Sequence, residues 1–183
     1  MPGTRPTRDQ LVASYGTTIP DLGGPDTQIL LVGINPSLFS GWSGHHFARP
    51  GNRLWRTLHL SGLTPVLLDP GDEPGIQAAG LGITNLVARA TARADELTSD
   101  ELRAGVERLR SLVRRWQPDF VAFLGISTYR IAFATPKATV GEQPVDFEGA
   151  RVWVLPNPSG LNASYQQPAL TSAYAELRQA AAR

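Results

Sequence analysis

The segment Ile29-Leu30-Leu31-Val32-Gly33-Ile34-Asn35-Pro36-Ser37 opens with an unbroken apolar run and closes with an asparagine set before a proline. The run does not alternate with polar residues, so both of its faces must be covered, as in a central strand of a layered α/β structure. Gly33 bounds the strand, and Pro36 biases Asn35 towards an extended backbone, holding its amide at the strand's carboxyl end. Comparable short runs recur at residues 83–87, at 120–124 before Gly125, and at 152–155 before Pro156-Asn157-Pro158-Ser159-Gly160-Leu161. Helical patterns lie between them. This alternation predicts an α/β fold, a three-layer α/β/α sandwich with a mostly parallel central sheet. Two distant strands each end in an Asn-Pro loop, Asn35-Pro36 and Asn157-Pro158. In open sheets of this type ligands bind beyond the carboxyl ends of the strands, so the two loops are expected to face one another across one crevice.

The clearest helix spans residues 98–116. Thr98 and Glu101 have capping-box spacing, and Leu97 can staple to Leu102. Leu102, Val106, Leu109, Val113 and Trp116 recur at threes and fours until Pro118 stops the helix. Further helices are expected over 52–60, closed by Gly62, over 127–133 and over 168–181. Residues 145–147 and 152–155 flank Glu148-Gly149 and are expected to pair as a hairpin. Residues 65–82 read as a surface excursion. Residues 1–26 mix Pro, Gly, Thr and charge around Leu11, Val12 and Tyr15, and read as a flexible N-terminal arm with one helical turn. Residues 27–183 then form a single domain.

The chain has 183 residues, 42% of them hydrophobic, enough for one domain with a substantial core. It has no cysteine, which excludes disulfides, thiolate-held zinc, iron-sulfur clusters and a cysteine nucleophile. No apolar run is long enough to span a membrane and the N-terminus lacks the apolar core of a secretory signal, so a cytoplasmic location is expected. The formal net charge is only +1, but its distribution is uneven. No acidic residue falls between Asp26 and Asp69, where Arg49, Arg53 and Arg56 lie, and from residue 149 to 175 the only charged side chain is Arg151. All basic residues but Lys137 are arginine. The guanidinium fork suits phosphate recognition, and GC-rich coding produces the same bias.

Asn35 both donates and accepts through one amide. It can orient a water or read the edge of a pyrimidine, but it cannot take up a proton at neutral pH and so suits only reactions with a good leaving group. A plain Asx-Pro turn uses the same residues. His45, His46 and Phe47 follow Gly41-Trp42-Ser43-Gly44 and read as carried on a mobile Gly-rich loop, with Phe47 placed to stack on a planar base or to fill the core. Adjacent histidines point apart and lack further ligands, so no metal is expected. Ser159 and Gly160 offer backbone N–H groups to a phosphate or ring oxygen. Leu161, in a polar loop, suits a wedge entering a base stack or an anchor of its own turn. The serines lack the G-x-S-x-G pattern, and neither a P-loop nor G-x-G-x-x-G occurs, which excludes serine hydrolysis and leaves nucleotide cofactors without support. Asp95 and Glu96 precede the long helix and support its N-terminus, with Asp95 the spare candidate for a general base.

Three motifs in order, Gly33-Ile34-Asn35-Pro36-Ser37, Phe47-Ala48-Arg49-Pro50-Gly51-Asn52-Arg53-Leu54-Trp55 and Asn157-Pro158-Ser159-Gly160-Leu161, together with Gly82-Ile83-Thr84-Asn85-Leu86-Val87, resemble the bacterial mismatch-specific uracil-DNA glycosylases, the Mug and thymine-DNA glycosylase branch of the uracil-DNA glycosylase superfamily. The resemblance runs from about Gln28 to the C-terminus. It implies that Asn35 positions the hydrolytic water, that Ile34, Ser37 and Ser40 border the base pocket, and that Phe47 stacks on an everted uracil. Asn157, Pro158, Ser159, Gly160 and Leu161 would enter the duplex and meet the opposite guanine, and Arg49 and Arg53 are the candidates for phosphate contact. The implied activity is monofunctional excision of uracil, and of related damaged pyrimidines, from mismatched double-stranded DNA with G·U preferred, by a monomer without cofactor or metal, leaving an abasic site for downstream repair enzymes. Cleaving the N-glycosidic bond builds positive charge on the sugar while uracil departs with charge on its ring oxygens, so a carboxylate base is not obligatory. Two positions depart from the pattern. Ser37 stands where glycine is common, narrowing the pocket entrance or adding a hydroxyl, and Asn162-Ala163 follow Leu161 where many relatives carry an arginine. A non-catalytic binder of damaged bases or abasic sites on the same fold, and a hydrolase of free nucleosides with no need of a wedge, are the competing readings.

Overall fold

Ile29–Gly33 forms β1, buried at all five residues, in a computed structural model that describes residues 5–182. Leu81–Asn85 (β2) and Phe120–Leu124 (β3) are buried along their whole length and flank β1 in parallel, with Leu31 opposite Ile83 and Ala122. Ala150–Leu155 (β5) continues the sheet parallel to β3, and Gly141–Phe147 (β4) closes it as an antiparallel edge. The strand order is β2-β1-β3-β5-β4. The hairpin between β4 and β5 turns at Glu148-Gly149, both with positive φ (54° and 87°), the geometry that matches strand twist in a tight turn. The expected α/β sandwich with a mostly parallel central sheet is therefore present.

Alternate residues of each strand feed opposite cores. Leu30, Val32, Val121 and Val152 pack against the stripe Leu102, Val106, Leu109 and Val113 of α5 (Ser99–Trp116). Thr98 and Glu101 form the expected capping box at its start, and Gly105 brings the helix so close that a Cβ there would lie 2.3 Å from the Leu86 carbonyl oxygen. Tyr129 of α6 (Ile126–Ala132) joins the same core. On the other face Leu31, Ile83 and Leu155 meet Leu54 and Leu58 of α3 (Leu54–Leu60), Ile76 of α4 (Glu73–Ala78), and Leu170 and Tyr174 of α7 (Gln167–Ala181).

Three segments differ from expectation. Gly41-Trp42-Ser43 is helical rather than a mobile loop: Leu38–Ser43 forms α2, with Ser37 as N-cap and Gly44 as left-handed C-cap (φ 75°). The 65–82 excursion contains α4, capped by Asp72, and β2 starts within it, at Leu81. Of the expected arm, residues 1–4 lie outside the described residues, and Arg8–Ala13 forms α1. Beyond α1 the chain is built into the body. Gly16 N–H donates to the Ala90 carbonyl (2.9 Å) and Ala90 N–H to that of Thr17 (2.8 Å). Ile19 and Leu22 are buried, Leu22 pairs antiparallel with Ile83, and Arg108 Nη2 reaches both Asp21 oxygens at 2.6 and 2.8 Å.

Candidate active site

β1, β2, β3 and β5 run parallel, so their carboxyl ends emerge together, and the strand order reverses between β1 and β3. A cavity of about 400 Å³ opens at that point, lined at or just past the strand ends by Ile34, Asn35, Asn85, Leu124 and Asn157. The two Asn-Pro loops thus face one crevice, as expected from their positions.

Asn35 is fixed by what its amide donates. Nδ2 gives its hydrogens to the Arg89 carbonyl (3.0 Å) and to Thr91 Oγ1 (2.7 Å). Thr91 in turn donates to the Arg93 carbonyl (2.7 Å), which orients its hydroxyl as an acceptor for Asn35. With both N–H groups committed, the Asn35 oxygen is the polar atom left to act in the cavity, and it can only accept. A water held there would present its oxygen lone pairs away from the asparagine.

Asn85, at the end of β2, is a second cavity amide that the sequence reading did not single out. The apolar run read over 83–87 places Asn85 inside a strand, but β2 ends at Asn85 and sets its amide at a carboxyl end as β1 does for Asn35. Its Nδ2 lies 3.2 Å from His46 Nδ1, and His46 Nε2 lies 2.8 Å from the Pro20 carbonyl. A carbonyl only accepts, so Nε2 carries the imidazole proton and Nδ1 accepts from Asn85. This pins the amide orientation. Among the described residues Asn85 Oδ1 accepts no hydrogen bond, leaving an acceptor beside an amide N–H. His46 is buried, and burial pushes its pKa below the ordinary 6.5, which keeps the ring neutral and able to accept.

Phe47 lines the cavity with a left-handed backbone (φ 52°), a conformation that costs a non-glycine residue energy and occurs where the surroundings impose it. Its ring tip and Asn85 Oδ1 both press on Gly33, where a Cβ would lie 2.8 and 2.5 Å away respectively. Ser37 and Ser40 also line the cavity. The Ser37 hydroxyl caps α2 by accepting Ser40 N–H (3.2 Å) and donates to Ser40 Oγ (3.2 Å).

In the 157–161 loop, Asn157 Oδ1 accepts Ser159 N–H (2.9 Å), so Asn157 makes the Asx turn and that N–H is not available to a ligand. Ser159 and Leu161 line the crevice, Pro158 is buried, and Gly160 is exposed. A Cβ on Gly160 would lie 2.6 Å from the Gly51 carbonyl oxygen. Leu161 is 79% exposed.

The two arginine candidates separate. Arg49 is exposed at the cavity mouth and forms no ion pair among the described residues. Arg53 is not placed for phosphate: its guanidinium donates to the carbonyls of Tyr165 (2.7 Å), Ser159 (2.6 Å) and Asn162 (3.1 Å), and its backbone N–H to that of Pro158 (3.0 Å). Its partners lie more than 100 residues downstream, so nothing near it in sequence betrays the role. Asp95 sits in the exposed 3-10 turn Ala94–Glu96 at the cavity rim, its carboxylate held by Arg93 (Nε to Oδ1, 3.0 Å). No group of three or more His, Asp or Glu able to hold a metal ion occurs among the described residues.

These features describe a cavity large enough to admit a nucleobase, with one aromatic wall, two oriented amides and an exposed apolar loop tip beside it. The solution NMR structure of a Methanosarcina acetivorans protein, provisionally named a uracil DNA glycosylase, is similar to the chain at a TM-score of 0.65 and 16% identity, over 90% of this chain and 98% of that one. The uracil DNA glycosylase superfamily profile matches residues 20–179. The chain belongs to the uracil DNA glycosylase superfamily.

Proposed function

We propose that the protein is a monofunctional DNA glycosylase that everts uracil from duplex DNA, G·U mismatches preferred, and hydrolyses its N-glycosidic bond to leave an abasic site. Family membership supports uracil excision. The observation that carries the mechanism is the Asn35 amide, whose two hydrogens are both committed. The everted ring stacks on Phe47, and the Asn85 acceptor and adjacent N–H meet the N3–H and O4 edge of uracil, a pattern that cytosine reverses. A water donates one hydrogen to Asn35 Oδ1 and turns its oxygen to C1′. The C1′–N1 electron pair leaves with uracil and spreads over its ring oxygens, positive charge grows on the sugar, and the attacking water loses its proton to solvent once the C1′–O bond has formed. Leu161 occupies the space the base leaves, and extrusion is cheapest where pairing is already weak, which supports the preference for a mismatch.

Single-turnover uracil release from G·U, A·U and single-stranded substrates, measured for wild type and Asn35→Ala, tests this. The expected result is wild-type cleavage fastest on G·U and a loss on the order of a hundredfold or more in Asn35→Ala with DNA binding retained. Equal wild-type rates on G·U and A·U would remove the mismatch preference. Binding without any cleavage would make the protein a lesion binder.

A further inference from the structure

Beside the crevice lies a second groove of about 450 Å³ that the reaction above does not use. The two share Ser37, Arg49 and Ala92, so they are adjacent. Its walls are apolar, formed by Pro6 and Leu11 on one side and by Leu38, Phe39 and Pro50 on the other. Arg5 and Arg49 complete it, and no carboxylate lines it. Both arginines are exposed and neither enters an ion pair among the described residues, whereas Arg89, Arg93, Arg108, Arg110 and Arg114 are each matched to an acidic side chain.

The wall contributed by the N-terminal segment is held by packing. Gly41 of α2 brings the segment so close that a Cβ would lie 2.5 Å from Thr17 Oγ1 and 3.3 Å from the Ser14 carbonyl oxygen. Ser14 is buried, and the hydrogen bonds of Gly16 and Thr17 to Ala90 tie the end of α1 to the loop after β2.

We propose that this groove binds the nucleotide adjacent to the everted one on the damaged strand, its phosphate between Arg5 and Arg49 and its sugar and base against Phe39 and the apolar wall. The proposal rests on reading the crevice as a base pocket. A strand whose base fills that pocket must leave through the mouth, and Ser37, Arg49 and Ala92 border both the crevice and the groove. Two unmatched guanidinium forks beside an aromatic surface match a phosphate followed by a planar base.

Fluorescence-anisotropy binding of uracil-containing single strands, in an Asn35→Ala background that prevents turnover, tests the assignment. The strands are full length or trimmed to end at the uracil on the 5′ or the 3′ side. Trimming one of the two sides is expected to weaken binding about tenfold, and Arg5→Ala to weaken the full-length strand several-fold, lower its salt slope by about one, and leave the strand trimmed on that side unaffected. Phe39→Ala should follow the same pattern, and exposed Arg5 keeps the test decisive if loss of Phe39 disturbs α2. Arg5→Ala acting equally on full-length and trimmed strands, or on neither, overturns the proposal. Wild-type cleavage without this coupling sinks the groove alone, whereas the coupling without cleavage sinks the glycosylase reading and keeps the groove.

Discussion

Gly33 has no side chain because two others occupy the space it would need. A Gly33→Ala methyl would meet Asn85 Oδ1 and the Phe47 ring at once, and Asn85 cannot retreat without breaking its bond to His46. The substitution is expected to cost about 1–3 kcal/mol of stability, as overpacking does in a filled core. It should also lower kcat/KM more than that loss explains, since both displaced groups line the cavity. Thermal unfolding and steady-state kinetics on one preparation separate the two effects. His46 gives a pH prediction. Its folded pKa lies below the ordinary 6.5, so its contribution to stability is complete above that value and is lost as pH falls through the folded value, because the unfolded chain takes up the proton first. Below it the imidazolium no longer accepts from Asn85. Unfolding midpoints between pH 5 and 8 should therefore fall on the acid side in wild type, and His46→Gln should flatten that dependence.

The 157–165 loop shows at the scale of elements why some of the site was legible and some was not. Its Asn-Pro motif at the end of an apolar run announced a crevice loop, and the crevice is there. Arg53 drew a phosphate reading because it falls in an acid-free stretch, yet its guanidinium is spent on three carbonyls of this loop. Long-range polar contacts of this kind leave no local pattern. The same holds for elements: β1 and β3 were readable as unbroken apolar runs bounded by glycine, and α5 by its spacing of threes and fours between a capping box and Pro118, whereas α2 and α4, six residues each, are too short for a period and exist through a capping side chain and tertiary packing. His46 was misread for that reason, its burial depending on Pro20 and Asn85 rather than on its glycine-rich neighbours. The Arg53 arrangement makes a prediction about the loop as a unit. Arg53→Lys keeps the charge but a single ammonium cannot reproduce the guanidinium fork, so the loop bearing Leu161 should loosen. With Leu161 as the proposed wedge, activity on duplex substrate should then fall several-fold more than activity on single strands. An equal fall on both would assign Arg53 to general stability alone.

At the scale of the whole molecule the sheet has two edges, and the chain treats them differently. β4 ends one side, with Pro144 within it and Glu142 paired to Arg151 (2.7 Å) on its surface, features that discourage pairing with another chain. β2 ends the other side and is wholly buried. What protects it is the segment after α1, where Leu22 and Ile83 exchange backbone hydrogen bonds at 2.8 and 2.7 Å and Asp21 is anchored by Arg108 of α5. The buried edge would otherwise present an apolar strand with open N–H and C=O groups. A chain starting at Gln28 is accordingly expected to lose solubility and to bind an amyloid dye on mild heating, whereas one starting at Gly16, which removes α1 and leaves the Leu22 bridge, should keep the unfolding midpoint of the full chain to within a few degrees. If the chain starting at Gln28 stays soluble with an unchanged midpoint, the edge is protected by β2 itself, and residues 17–27 serve only to carry the outer wall of the groove.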